Sequence, residues 1–192
     1  MKIAISGAHG VGKTTLAKSL AVELNLPLID EVARSVAEEN GFKTTADIRD
    51  AIPLTRTFFQ HSVFYRQIMK ERYSYHEYIS DRSIFDCVAY CILYDLHDDF
   101  IAFLRAEATK HSSNYDCIIY HPIPDREISA DGFRLIGKDS QKDVDSSLRI
   151  LLRYAKCPVL QLEKEILQKG HEFVIDALVK KLKKITGKEV GN

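Results

Sequence analysis

The chain has 192 residues, 45 % of them hydrophobic and 28 % charged, which suits one compact globular domain and excludes a disordered or fibrous chain. Lys plus Arg and Asp plus Glu both number 27, so the basic excess of a protein that wraps nucleic acid is missing. No stretch approaches the length of a membrane span and no signal peptide is legible, so a cytoplasmic protein is expected.

In chain order, Lys2-Ile3-Ala4-Ile5-Ser6 is a short apolar run ending at a glycine, the pattern of a buried strand. Leu16, Leu20 and Leu24, with Ala17 and Ala21 beside them, predict a helix. Leu26-Pro27-Leu28-Ile29 predicts a second strand, and a helix over 31–39 is stopped by Asn40-Gly41. A long helix is predicted over 55–73, a strand over 76–80, and helices over 84–96 and 100–110. The segment 115–120 reads as a strand ended by His121-Pro122. A polar stretch, 125–142, carries charges of both signs. A helix over 144–154, a strand over 158–162 and a helix over 171–185 complete the chain. Five apolar strands separated by helices imply an α/β fold: a five-stranded parallel sheet with helices on both faces. Cys87, Cys91, Cys117 and Cys157 form no C-x-x-C pair and read as reduced, mostly buried thiols.

In such a sheet, ligands bind outside the carboxyl ends of the strands. There the sequence Gly7-Ala8-His9-Gly10-Val11-Gly12-Lys13-Thr14 fits G-x-x-x-x-G-K-[ST] in full, with Thr15 next in line. Glycines let the backbone close round a phosphate, successive N–H groups form an anion nest, and the following helix adds its positive end. Lys13 supplies a full charge to the β- and γ-phosphates, and the Thr14 hydroxyl is the expected Mg²⁺ ligand. ATP and Mg²⁺ are the expected cofactors. His9 occupies a free position of the motif and reads as a tolerated loop residue that could touch a phosphate.

Four segments together, Gly7 to Thr14, Asp30-Glu31-Val32-Ala33-Arg34, Asp81-Arg82-Ser83-Ile84-Phe85-Asp86 and Asp131-Gly132-Phe133-Arg134, resemble the P-loop nucleoside and nucleotide kinases over residues 1 to about 165. Thymidylate-kinase-like and deoxynucleoside-kinase-like proteins are the nearest images, and nicotinamide riboside kinases are also similar. The resemblance implies a P-loop NTPase fold in a single domain spanning 1–192, with a lid at about 125–142. It implies that Asp81 faces Mg²⁺ or the acceptor and that Arg82 faces phosphate. Glu31 sits where the deoxynucleoside kinases carry a general base, although Val32 stands in place of their proline. Arg34, one turn on, could reach the same pocket. Gln60 is a candidate for reading a base edge, set against a plain core role for the Phe58-Phe59-Gln60-His61 run. In the lid, Arg126 and Arg134 are the candidates for the γ-phosphate.

The resulting expectation is an ATP-dependent phosphotransferase acting on a nucleoside monophosphate, because Arg34 and Arg82 would supply two cations on the acceptor side. Two alternatives stay open: a nucleoside or deoxynucleoside kinase, and an ATP-hydrolysing switch or partner-binding protein that uses Asp30-Glu31. The expected partner is a small-molecule nucleotide or nucleoside. A homodimer is left open, and neither polymeric nucleic acid nor a membrane is expected.

Overall fold

A computed structural model of the protein describes residues 1–124, 138–168 and 170–187. The five strands are β1 (Lys2–Ser6), β2 (Leu28–Ile29), β3 (Tyr78–Asp81), β4 (Cys117–Tyr120) and β5 (Val159–Gln161). They form one sheet in the order β2-β3-β1-β4-β5, and every pairing is parallel. The chain runs to one side of β1 for β2 and β3, then crosses to the other for β4 and β5, which is where such sheets bind ligands.

Successive residues of a strand point to opposite faces, so the apolar runs feed two cores. Ile3, Ile5, Ile79, Cys117 and Ile119 face α1 (Lys13–Glu23) and α9 (His171–Thr186), packing on Leu16, Leu20, Leu178 and Leu182. Ala4, Tyr78, Ile118 and Tyr120 face the other way, onto α2 (Val32–Glu39), α4 (Pro53–Tyr73), α5 (Ile84–Leu93), α6 (Asp98–His111) and α7 (Lys138–Leu151). Burial on both faces is why these strands read as unbroken hydrophobic runs.

Two helices escape the sequence reading: α3 (Thr45–Asp50) and α8 (Lys164–Leu167). Both are too short to show a period, although α3 carries a legible start. Thr44 accepts from the Asp47 backbone N–H, and the Asp47 carboxylate accepts from the Thr44 N–H at 2.8 Å, a complete capping box. The helix predicted over 84–96 stops at Leu93, because Asp95 turns into the left-handed region at φ 52°. The helix predicted over 144–154 starts earlier, at Lys138, and ends in a 3-10 turn, Leu152–Tyr154. Residues 138–142 of the expected lid are therefore helical; the rest, with Arg126 and Arg134, lies outside the described residues. Cys87, Cys91 and Cys117 are buried, Cys157 is half-buried, and all four are free.

Candidate active site

The strand order places three carboxyl ends side by side. Ile5 of β1 is level with Asp81 of β3, and Ile29 of β2 is level with Ser80. The loop after β1, the Asp81-Arg82 pair after β3 and the Asp30-Glu31 pair after β2 therefore open onto one edge of the sheet.

Gly7 begins the loop where a side chain has no room: a Cβ there would lie 2.4 Å from the carbonyl oxygen of His121. Gly12 ends it at φ 108°, a conformation L side chains rarely adopt. The Lys13 ammonium folds back over the loop and donates to the Ala8 carbonyl at 2.7 Å. Burial, with the nearby Arg82 charge, pushes its pKa down to about 8. The Asp81, Asp86 and Glu31 carboxylates act in the opposite sense on the same amine, and a phosphate in the loop would add to their effect. Ala8 and Val11 point into the core, whereas Thr14 and Thr15 are exposed at the mouth of the cradle.

Thr14 donates its hydroxyl proton to Asp81 Oδ2 at 2.7 Å. Burial raises the Asp81 pKa, while the Thr14 bond and the Lys13 and Arg82 charges pull it back. A hydroxyl and a carboxylate at the mouth of a phosphate loop are the hard oxygen donors that suit Mg²⁺. The residues present thus fit that ion.

Arg82 carries the least ordinary backbone of the site. It sits at φ 118°, a region that costs a non-glycine residue about 1–3 kcal/mol and persists only where surroundings enforce it. Its Nε and Nη2 both donate to Glu31 Oε1, at 2.9 and 2.5 Å. The guanidinium lies over the Tyr90 ring, 5.0 Å from its centre. Its Nη1 is buried, 3.8 Å from Asp86 Oδ1, with no hydrogen-bond partner among the described residues. Asp86 is fully buried and ties the site together. It accepts from the Ser83 N–H and hydroxyl at 3.0 and 2.8 Å and from the Gly7 N–H at 3.3 Å.

Two hollows meet at Glu31. The outer one has about 520 Å³ of volume and is walled by Lys13, Thr14, Thr15, Asp30, Arg34 and Asp81. The inner one is a narrow cavity of about 50 Å³. Phe59, Val63 and Ile48 line it with apolar surface, and Glu31, Arg82, Tyr90 and His9 with polar groups. Gln60 lines it while 3 % exposed. Its neighbour Phe58 points outward, 63 % exposed.

Lys13, Thr14, Glu31, Gln60, Asp81 and Arg82 are thus brought together. Arg34 is exposed and lines the outer hollow together with Glu31 and Asp81. Two wall residues, Asp86 and Tyr90, escaped the sequence reading, and His9, read there as a phosphate-loop residue, lines the inner cavity. Asp86 had a signal, since Ser83-x-x-Asp86 is a capping-box pattern. Tyr90 and the inward turn of His9 had none. Among the described residues no cluster of His, Cys, Asp and Glu could hold a metal by itself.

The sequence profile of a family described as an AAA domain matches residues 2–169. No curated protein matches by sequence. Solved structures match by shape. A deoxyadenosine kinase from M. mycoides, with the products dCMP and dCDP, is 16 % identical with a TM-score of 0.66, over 96 % of this chain and 100 % of that one. The NadR protein in complex with NR is 17 % identical with a TM-score of 0.70, over 99 % of this chain and 52 % of that one, so this chain spans about half of NadR. A shikimate kinase from Acinetobacter baumannii, in complex with shikimate, is 12 % identical with a TM-score of 0.57, over 99 % and 95 %. The shared fold is that of the P-loop kinases.

Proposed function

The chain belongs to the AAA domain family, and from that premise we propose that it is an ATP-dependent kinase whose acceptor is the hydroxyl group of a nucleoside. The observation that carries this reading is Glu31: one carboxylate, oriented by Arg82, borders both the phosphate cradle and the inner cavity. A hydrolase would need room only for water beside that carboxylate. The inner cavity beside it, about 50 Å³ as it stands, is lined by Ile48, Phe59, Gln60 and Val63, an apolar and amide surface that an attacking water does not call for. The AAA domain family name alone does not separate these two outcomes; the cavity favours transfer.

In the proposed reaction the acceptor hydroxyl gives its proton to Glu31 as its oxygen attacks the γ-phosphorus. A new O–P bond forms, the bond to the bridging oxygen of ADP breaks, and ADP leaves. Lys13 and the loop N–H groups neutralise charge on the transferring group. Thr14 and Asp81 would hold Mg²⁺, which supplies Lewis-acid neutralisation of the phosphate oxygens. Gln60, with a donor and an acceptor on one amide, suits the edge of a base lying against Phe59. The solved neighbours bound to dCMP and dCDP and to NR support a ligand of this class.

A monophosphate acceptor is the second reading. The unpartnered Nη1 of Arg82 favours it, but the second arginine it called for, Arg34, lines the outer hollow and not the inner cavity. ADP release measured with ATP, Mg²⁺ and matched panels of nucleosides and their 5′-monophosphates tests the choice. Release stimulated by nucleosides is the expected result. Release stimulated by monophosphates alone would transfer the assignment to the second reading, and release indifferent to every acceptor would leave a hydrolase.

A further inference from the structure

His9 belongs by sequence to the phosphate loop, yet its side chain lines the acceptor cavity and not the phosphate cradle. We propose that His9, together with Tyr90, binds the sugar hydroxyls of the acceptor beside Glu31. The proposal rests on the kinase reading above and narrows it to an acceptor with a polyhydroxylated group next to the reacting oxygen.

Three features carry it. First, both side chains are held in place. The His9 carbonyl accepts from Gln141 Nε2 of α7 at 2.6 Å, which pins the residue's backbone. The Tyr90 ring is held beneath the Arg82 guanidinium. A wall ordered in advance does not have to be ordered when the ligand arrives. Second, His9 Nδ1 and the Tyr90 hydroxyl stand 3.4 Å apart, at the long limit of a hydrogen bond. Such a contact is readily exchanged for shorter ones to a sugar hydroxyl, which donates and accepts at once. Third, the cavity lining is mixed. Ile48, Phe59 and Val63 offer apolar surface, while His9, Tyr90 and Glu31, linked through Arg82, gather hydrogen-bonding groups. A nucleoside, with a planar base and a hydroxylated sugar, suits both kinds of surface. The loop that grips the donor phosphates thereby also contacts the acceptor, which brings the two reactants into one register.

The test compares the wild type with His9→Ala and with Tyr90→Phe, which keeps the ring under Arg82 and removes only the hydroxyl. The acceptors are a ribonucleoside and its 2′-deoxy and 3′-deoxy analogues. Expected is a rise of about tenfold in acceptor KM in each variant, a narrowed preference among the three acceptors, and a KM for ATP that moves far less. Unchanged acceptor KM values, or a rise in the KM for ATP alone, would overturn the assignment and leave the kinase reading intact. Calorimetric binding of the same nucleosides in the presence of a non-hydrolysable ATP analogue separates the remaining cases. Nucleoside binding without transfer, weakened in both variants, would unseat the kinase reading and retain the His9 site. If the wild type neither binds nor phosphorylates them, both readings fall.

Discussion

Glu31 and Arg82 are 51 residues apart in the chain and joined by two hydrogen bonds to one carboxylate oxygen. Pairing with a guanidinium that is 7 % exposed orients the carboxylate, and it is the base in the proposed transfer. Glu31→Gln keeps the shape and loses the base. Its kcat should fall by about 10²–10⁴-fold with little change in acceptor KM, as steady-state kinetics on the best acceptor would show. An equal loss in kcat for hydroxyl and phosphate acceptors would argue against a base. Lys13 offers a second residue-level expectation. Burial leaves its folded-state pKa at about 8, below the usual 10.5, so the empty fold disfavours the charged form. Lys13 thus weakens the empty protein below about pH 8, and that penalty fades as pH rises from 8 towards 10.5. Polyphosphate binds the protonated amine. Nucleotide binding should therefore take up protons near pH 8.5, and affinity should fall as pH rises past 8. Calorimetry in buffers of different ionisation enthalpy reads this uptake directly; none at pH 8.5 would mean that the amine is already charged in the empty loop.

Helix α4 contributes to function from both ends. Near its start it presents Phe59, Gln60 and Val63 to the inner cavity. Near its end it buries Glu71, whose carboxylate accepts from four groups: Gln67 Nε2 at 2.7 Å, the Ser80 hydroxyl at 3.0 Å, the Tyr115 hydroxyl at 2.8 Å and His111 Nε2 at 2.6 Å. The Tyr115 hydroxyl in turn accepts from the Ile84 N–H at 3.1 Å, in the first turn of α5, two residues after the strained Arg82. This network joins α4, α5, α6, β3 and the turn before β4 at a single carboxylate. Glu71→Ala would strand four buried polar groups and should cost roughly 3–5 kcal/mol. The urea midpoint measures that loss; an unchanged midpoint would mean that water replaces the carboxylate without penalty. Sequence periodicity identified α4 through Phe59 and Val63 but could not single out Glu71. A charged residue on a helix reads as solvent-facing until the neighbouring elements are known.

At the scale of the whole molecule, the two cores hold the sheet rigid from both faces while the site occupies its carboxyl edge. No helix among the described residues is long and apolar enough to cross a membrane. The cradle is formed from three strand ends and one helix start, so a bound nucleotide ties those elements together and should stabilise the entire fold. ADP with Mg²⁺ at about 100 times its Kd should add roughly 2.7 kcal/mol, a rise in Tm of roughly 5–10 °C for a chain of this size. Lys13→Ala should lose most of that rise while its ligand-free Tm, measured near neutral pH, is at or above that of the wild type, because a buried charge is removed. A full nucleotide-induced rise in the variant would place the phosphates elsewhere.

The phosphate loop, the five strands and most helices were determined by sequence alone, because each depends on residues adjacent in the chain: a contiguous glycine motif, unbroken apolar runs, a repeating stripe. The neighbourhood of Glu31 and the inner cavity was decided only in three dimensions. The order β2-β3-β1 sets Arg82 between Glu31 and the phosphate loop, a neighbourhood that no local pattern encodes. The same packing turns Arg34 to the outer hollow, and Gln60, Tyr90 and His9 to the inner cavity. Local sequence specifies which backbone conformation is cheap; the direction in which a side chain faces depends on which strand lies alongside, and that follows from burying both faces of the sheet at once.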